Sequence, residues 1–142
     1  MYLVDTNIWL ESLLGQAKAR EAGKFLASVD TSLISISDFS LHSICVILGR
    51  MNQLAALDQF VNDLFVQGQV TLFSVPALDT RMITAAMPLQ RLDFDDAYQY
   101  VLCKRHHLTL VSYDTDFDHT DLLRQTPAQI LSALPPPHAG AS

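Results

Sequence analysis

The sequence predicts an α/β fold of three layers, in which a parallel sheet lies between helices on both of its faces. Short apolar runs alternate along the chain with longer runs of helical periodicity, and this alternation is typical of parallel sheets with helical crossovers. The chain has 142 residues, a length that suits one domain, and 49% of them are hydrophobic. We therefore expect a single domain over residues 1–134 with a sizeable apolar core.

Four strands are predicted by short apolar runs, at residues 1–4, 33–36, 70–75 and 108–112. The first run stops at Asp5 and the third is closed by Pro76. The segment just before the last helix gives a weak signal for a fifth strand. Because helical segments separate the strands, we expect them to pair in parallel.

The helical segments are predicted at residues 8–29, 39–51, 54–66, 77–89, 96–107 and 128–134. Gly15 interrupts the first, and Ser37 or Asp38 caps the second. Pro88 ends the fourth segment, and Pro127 lies in the first turn of the last. Residues 135–142 contain three prolines followed by small residues, and we expect a disordered tail there.

Acidic residues gather where the predicted elements begin and end. Asp5 directly follows the first strand, Asp114 and Asp116 follow the fourth, and Asp96 begins a helix. Functional groups in a parallel sheet collect outside the carboxyl ends of its strands. If the first and fourth strands are neighbours, these four carboxylates converge at one edge of the sheet.

Each acid also has a purely structural interpretation. Asp95 or Asp96 could be a helix N-cap, because aspartate is favoured at that position. Asp114 and Asp116 could be turn residues after a strand. Taken singly these interpretations are favoured, and the acidic ends of two separate strands are what favour a functional site.

Converging carboxylates repel one another unless a cation is present. Oxygen ligands without histidine or cysteine suit a hard ion such as Mg²⁺ or Mn²⁺, and such an ion can activate water and polarise a phosphate. The formal net charge of −6 argues against a generally basic surface for nucleic acid. A bound divalent cation would offset much of this charge.

Three segments resemble the PIN-domain ribonucleases in their order and spacing. They are VDTNIW at the start, DFDDAYQY in the middle and LVSYDTDF near the end, and TPAQIL resembles the closing segment of that family. The resemblance implies a three-layer α/β/α fold around a parallel sheet. It also implies a metal-dependent endoribonuclease, in many members the toxin of a VapBC-type toxin–antitoxin pair.

The resemblance assigns site residues one by one. Asp5, Asp96 and Asp116 match metal-binding acids, and Asp114 matches an accessory acid, so that all four are candidate catalytic residues. Two further matches, Thr6 and Asn7, are polar residues that help to hold the first carboxylate.

One position departs from the family pattern. Aligning ISDFSLHSI with the helix after the second strand places Ser43 where the family usually carries glutamate. Asp38 lies more than a turn earlier, and Asp95 is the better candidate to compensate for the missing acid. The departure leaves open whether one or two metal ions bind, and it leaves a catalytically weakened PIN-fold protein that binds RNA or a protein partner as an alternative.

A haloacid-dehalogenase-type phosphatase is a more distant alternative, because those enzymes also begin with a strand that ends in aspartate. That chemistry needs a second acid two residues after the first, where this chain has Asn7. That chemistry also needs a positioned lysine, and nothing marks Lys104 as one. The basic run at residues 104–107 is interpreted as complementing the end of a helix, and contact with an RNA phosphate is a less favoured alternative.

The resemblance also suggests partners and location. We expect an RNA substrate, an antitoxin protein and a homodimer formed by the helices between the second and third strands. The N-terminus shows no signal peptide, and no apolar run is long enough to span a membrane, so we expect a cytoplasmic protein.

Overall fold

Five parallel strands form the central sheet in the computed structural model, which describes residues 1–136. They are β1 (Tyr2–Val4), β2 (Ile34–Ser37), β3 (Thr71–Phe73), β4 (Thr109–Val111) and β5 (Arg124–Gln125). Their order across the sheet is β3-β2-β1-β4-β5, and every pair is parallel. The predicted fold class is confirmed, and the weakly indicated fifth strand is present at the edge of the sheet.

The register of β1 places the two acidic strand ends side by side. Leu3 pairs with Leu110 and Val4 pairs with Val111, so β1 and β4 end at the same level of the sheet. The ladder continues one residue further, since the backbone N–H of Asp5 donates to the carbonyl of Val111 at 2.9 Å. The condition that the first and fourth strands are neighbours is therefore met.

Seven α-helices cover the sheet within the described residues. They are α1 (Thr6–Leu14), α2 (Ala19–Ser28), α3 (Asp38–Arg50), α4 (Leu54–Asn62), α5 (Thr80–Gln90), α6 (Phe94–His106) and α7 (Pro127–Ala133). The predicted break at Gly15 is confirmed: this residue ends α1 in the left-handed conformation at φ 61°, which glycine adopts without steric cost. None of these helices is long and apolar enough to cross a lipid bilayer.

Alternating side chains of the strands build two apolar cores, one on each face of the sheet. Val4 and Val111 face the core that also contains Phe25 of α2 and Ile44 of α3. Their neighbours Leu3 and Leu110 face the opposite core, which is completed by α5 and α6. The two-residue period of a strand thus feeds both helical layers, which is the expected pattern for a sheet that is covered on both faces.

Two local predictions are corrected, and one open alternative is settled. Pro88 lies inside α5, which continues to Gln90; both Pro88 and Thr84, whose carbonyl loses its usual helical partner there, are exposed to water. The helix predicted to start at Asp95 or Asp96 begins earlier, because Asp93 is its N-cap. Of the two candidate N-caps of α3, Ser37 occupies the position, and its hydroxyl accepts from the N–H of Ser40 at 3.0 Å.

A further correction concerns the helix predicted at residues 54–66, where a π-helical turn at Asp63–Gln67 replaces the last turn. Gly68 closes this turn. A Cβ atom there would lie 2.7 Å from the carbonyl oxygen of Asp63 and 2.9 Å from that of Leu64, so a larger residue would displace the backbone. Of the predicted tail at residues 135–142, residues 137–142 lie outside the described part of the chain.

Candidate active site

Asp5 lies between β1 and α1, and hydrogen-bond donors surround its carboxylate. Oδ1 accepts from the backbone N–H of Thr6 at 2.8 Å and from Nε2 of Gln99 at 3.1 Å. Oδ2 accepts from the hydroxyl of Ser112 at 2.7 Å and, more distantly, from Nδ2 of Asn7 at 3.4 Å. Donors from β1–α1, from α6 and from the end of β4 therefore fix this side chain, which is only 8% exposed.

Burial raises the pKa of Asp5 above its ordinary value of 3.8, and the negative charge of Asp114 raises it further. The hydrogen bonds from Ser112, Gln99 and Thr6 lower the pKa, but the desolvation effect prevails. A cation next to this carboxylate would favour its ionised form.

Three further carboxylates gather beside Asp5. One ligand oxygen from each of Asp96, Asp114 and Asp116 can be chosen so that all lie within 4.8 Å of one another. Asp96 stands in the first turn of α6, where its N–H donates to the N-cap carboxylate of Asp93 at 3.0 Å. Asp114 follows β4 and accepts from the N–H of Asp116 at 2.8 Å, which turns both side chains toward α6. The turn interpretation of Asp114 and Asp116 thus coexists with their convergence, whereas the cap position expected at Asp95 or Asp96 belongs to Asp93.

The repulsion within this group is visible at Asp96. Partial burial raises its pKa to about 7, and the charges of Asp93, Asp114, Asp5 and Asp116 add to the effect in that order. Uncompensated negative charge of this kind favours a cation. The donor set contains oxygen atoms alone, and such sets suit hard ions such as Mg²⁺ or Mn²⁺.

An open cavity of about 340 Å³ joins the two carboxylate groups, and we call it the acidic cavity. Its wall consists of Asp5, Thr6, Asn7, Leu10, Phe39, Ser43, Asp95, Asp96, Gln99 and Asp114. Four separate segments of the chain meet here, namely the start of α1, α3, the start of α6 and the loop after β4.

The model of the PIN domain family matches residues 2–123 of this sequence. The chain belongs to the PIN domain family. This membership confirms the resemblance that the three segments carry, and it favours the nuclease expectation over the phosphatase alternative.

Solved structures with the same fold include several proteins of toxin–antitoxin systems. A toxin–antitoxin complex from Klebsiella pneumoniae has a TM-score of 0.73 at 21% identity, covering 89% of this chain and 98% of that chain. FitAcB from Neisseria gonorrhoeae has a TM-score of 0.70 at 23% identity, with 90% and 99% covered. The sarcin-ricin loop cleaving toxin VapC20 from Mycobacterium tuberculosis has a TM-score of 0.68 at 18% identity, with 87% and 97% covered. Among curated proteins, none matches significantly.

This PIN domain brings nearly all of the predicted site residues to the acidic cavity. Asp116 does not line its wall but joins it through the group with Asp96 and Asp114. Asp5 lines the same cavity but does not belong to the 4.8 Å set, and both of its carboxylate oxygens accept hydrogen bonds. Thr6 holds Asp5 with its backbone N–H, while its hydroxyl donates to Ser40 at 2.8 Å.

The structure also places the three residues that were considered in connection with the missing glutamate, which are Ser43, Asp95 and Asp38. Ser43 lines the acidic cavity from α3, which agrees with the alignment of that helix. Asp95 lines it as an exposed residue next to Asp96. Asp38 is engaged elsewhere, because Oδ1 accepts from the hydroxyl of Tyr98 at 2.6 Å.

The sequence analysis did not identify Gln99, Ser112 and Ser40. Gln99 and Ser112 donate hydrogen bonds to the carboxylate of Asp5, and Ser40 accepts one from Gln99. Gln99 lies three residues after Asp96, so a helical face drawn through Asp96 would have included it. Ser112 ends β4 as Asp5 ends β1. Ser40 lies three residues before Ser43 on the same face of α3. Ser112 and Ser40 lie within LVSYDTDF and ISDFSLHSI, but neither carries a charge that sets it apart from its neighbours.

The basic run at residues 104–107 has structural partners at the far end of α6 from Asp96. Lys104 pairs with Asp121 and Arg105 pairs with Asp79, each at 2.7 Å. His106 stacks on Phe73 with ring centroids 4.2 Å apart. These contacts agree with the structural interpretation of the run.

Proposed function

We propose that this PIN domain is a metal-dependent endoribonuclease that hydrolyses phosphodiester bonds of RNA. The observation that carries the proposal is the acidic cavity, where the group of Asp96, Asp114 and Asp116 faces the buried carboxylate of Asp5. An arrangement of acids at the carboxyl ends of adjacent parallel strands is suited to hold a cation against a phosphate. Family membership supports the same assignment.

The residues present fit Mg²⁺ or Mn²⁺. We assign Asp5, Asp96 and Asp116 as ligands and Asp114 as the accessory acid. When bound, the ion would supply a water of lowered pKa as nucleophile and would stabilise the negative charge of the phosphate. The raised pKa of Asp96 supports this fit, since it reports negative charge that no described basic side chain balances.

The side chains of the protein orient the carboxylates and limit the water around them. The donors around Asp5 keep its carboxylate in one orientation, so little ordering remains to be done when a ligand arrives. Asp114 is anchored from both sides, because its N–H donates to the hydroxyl of Ser112 at 3.0 Å and its carboxylate accepts from Asp116. Leu10 and Phe39 add apolar wall to the cavity, which limits the water around the carboxylates.

Ser43 supports a second candidate function, a PIN fold that binds RNA or a protein partner and has weak catalytic power. Its hydroxyl lines the acidic cavity at the position where the resemblance places a glutamate. A hydroxyl is a poorer ligand than a carboxylate for a hard ion. A cleavage assay separates this candidate from the first.

We further propose that the protein is the toxin of a toxin–antitoxin pair and that residues 1–134 form its one domain. The Klebsiella pneumoniae complex and the other toxin structures with this fold support the pairing with an antitoxin. A homodimer through α3 and α4 is supported by apolar side chains exposed there, Val46, Met51 and Leu54. Sedimentation of the purified protein alone, and with the product of a small reading frame immediately upstream, tests both partners.

The direct test is cleavage of a labelled single-stranded RNA by purified protein. We expect cleavage with Mg²⁺ or Mn²⁺ and none with EDTA. Asp96→Asn should abolish cleavage while leaving the melting temperature nearly unchanged or slightly raised, because the variant removes a charge that its neighbours repel.

Asp58→Asn is the matched control, since Asp58 is an exposed acid on α4 that does not line the acidic cavity. Cleavage by Asp96→Asn at the rate of the wild type would reject the assignment of Asp96. Metal-dependent RNA binding without cleavage by the wild type would favour the second candidate.

A further inference from the structure

We propose that Gln99 is a positioning residue, whose side-chain amide holds the carboxylate of Asp5 in the orientation that meets a divalent cation. The inference rests on the proposed function, because it takes Asp5 as part of the metal-binding wall of the acidic cavity. It goes beyond that function by adding a neutral residue of α6 to the machinery that prepares the site.

The amide of Gln99 lies inside a closed set of polar contacts. Nε2 donates to Oδ1 of Asp5 at 3.1 Å and to the hydroxyl oxygen of Ser40 at 2.9 Å, which uses both of its hydrogens. The hydroxyl of Thr6 donates to the same oxygen of Ser40, and the N–H of Thr6 returns to Asp5. Gln99 therefore ties the start of α1, the start of α3 and the first turns of α6 together at the carboxylate.

The other end of the amide shows which contact determines its orientation. Oε1 of Gln99 is buried and accepts no hydrogen bond from any of residues 1–136, although a buried acceptor without a partner costs free energy. Turning the amide over would bring the carbonyl oxygen against the carboxylate of Asp5 and place two acceptors in contact. The donor therefore faces Asp5, and Oε1 is left without a partner.

This arrangement is not what a purely packing role needs. Gln99 is 2% exposed, and an unbranched apolar side chain of similar length would fill the same volume without leaving a buried acceptor unpaired. The amide is explained by its contact with Asp5. Ser43 offers the cavity only a hydroxyl, so the binding of the cation depends more on the orientation of Asp5 than it would with a glutamate at that position.

The test measures binding of Mn²⁺ to the metal-free protein, by the electron paramagnetic resonance signal of free Mn²⁺ and by titration calorimetry. Gln99→Met keeps the shape of the side chain and removes the donor. We expect binding of Mn²⁺ to weaken by about tenfold, as is typical when the partner of a metal ligand is removed. The melting temperature of the metal-free protein should change by only a few degrees, because the unpaired acceptor disappears together with the donor.

Tyr98→Phe is the matched control on the same helix. It removes the hydroxyl that contacts Asp38 and the N–H of Val75 and leaves Asp5 untouched, so its affinity for Mn²⁺ should equal that of the wild type. Ser40→Ala, a smaller change, removes the second acceptor of the Gln99 amide and should weaken binding in the same direction. This variant provides the test if Gln99→Met does not fold.

A double-mutant cycle with Asp5→Asn separates positioning from a general loss of structure. If Gln99 acts through Asp5, Gln99→Met should have no further effect on Mn²⁺ affinity once Asp5 is Asn. Equal affinities of the wild type and Gln99→Met would overturn the positioning role alone. Absence of Mn²⁺ binding by the wild type would overturn both proposals, whereas weakened binding in Gln99→Met without RNA cleavage by the wild type would support the positioning role and reject the nuclease.

Discussion

The two sides of the acidic cavity hold their carboxylates in opposite ways. On one side, Asp5 is buried and receives hydrogen bonds from one backbone and three side-chain donors. On the other side, Asp116 is exposed, Asp96 is half-buried, and the charged groups that shift the pKa of Asp96 are all acids. The first carboxylate is part of the folded framework, while the others are held in place by local turns and repel one another.

The two sides would therefore contribute differently to a metal site. Asp5 would provide a ligand that is already oriented, and the opposite group would provide the negative charge that attracts the cation. The donors around Asp5 offset part of the free energy of burying its charge and depend on it as their acceptor, so a variant that removes this carboxylate disturbs the fold as well as the site. The opposite group contributes charge that only a cation can balance, so its variants should affect metal binding and leave the fold nearly intact. Substitutions that act on one side at a time can test this division.

Asp5→Ala and Asp116→Ala form the pair with the largest expected contrast. Asp5→Ala removes the cap of α1 and leaves buried donors of Ser112 and Gln99 unpaired, which should lower the free energy of unfolding by about 2 kcal/mol. Asp116→Ala should change it by no more than about 0.5 kcal/mol, as for other exposed positions. Urea unfolding without metal measures both.

Similar losses for the two alanine variants would show that the sides are equally integrated in the fold. Calorimetry with Mn²⁺ is the companion measurement, and there both variants should bind more weakly than the wild type.

The pH dependence of stability tests the more exposed side of the cavity, where Asp96 is repelled by its acidic neighbours. The pKa of Asp96 is raised from 3.8 to about 7, and the pKa of Asp5 is raised too, so the folded state binds more protons than the unfolded state in that interval. The metal-free protein should therefore lose stability as pH rises from 3.8 to about 7. The part due to Asp96 should be on the order of 1 kcal/mol, because solvent screens a half-exposed group.

Urea unfolding of the wild type and Asp96→Asn across this interval isolates that part. The variant should show a shallower slope, and saturating Mn²⁺ should flatten the slope of the wild type. The acids Asp118 and Asp121, whose pKa values are lowered by Arg124 and Lys104, act at lower pH and contribute stability that is lost as pH falls. Equal slopes in wild type and variant would contradict the repulsion described at Asp96.

Ser43→Glu should have the smallest effect, because it adds one charge to a partly exposed wall. The metal-free protein should lose about 0.5 kcal/mol through repulsion with the neighbouring acids, since solvent screens the pair. The same carboxylate should tighten binding of Mn²⁺ and raise cleavage, and added Mn²⁺ should restore the melting temperature by mass action.

His42→Glu is the matched control, because it places the same charge one residue earlier on α3, outside the acidic cavity. A Ser43→Glu variant that matches this control in Mn²⁺ affinity and melting temperature would mean that residue 43 does not serve the site.

Much of the candidate site could be proposed from the sequence because its main signals are local in the chain. A strand that stops at Asp5, the Gly15 that ends α1, and the acids after β4 are each recognisable within a few residues, since strand periodicity, left-handed caps and turn chemistry are properties of short segments. Where local signals compete, prediction fails. Pro88 lies inside α5 on an exposed part of the helix, as does Thr84, whose carbonyl loses its helical partner; exposure of this kind is not stated by any local rule.

By itself, the sequence determined the α/β class and four of the five strands, and it marked four acids and Ser43 as candidates for the site. Only the tertiary structure decided that β1 lies beside β4, and this pairing brings Asp5 to Ser112 across 107 positions of the chain. It alone decided that Gln99 of α6 and Ser40 of α3 meet at the same carboxylate. The physical reason is that a buried charge selects its donors by proximity in space. Which neutral glutamine or serine meets that charge depends on how elements distant in the chain pack together.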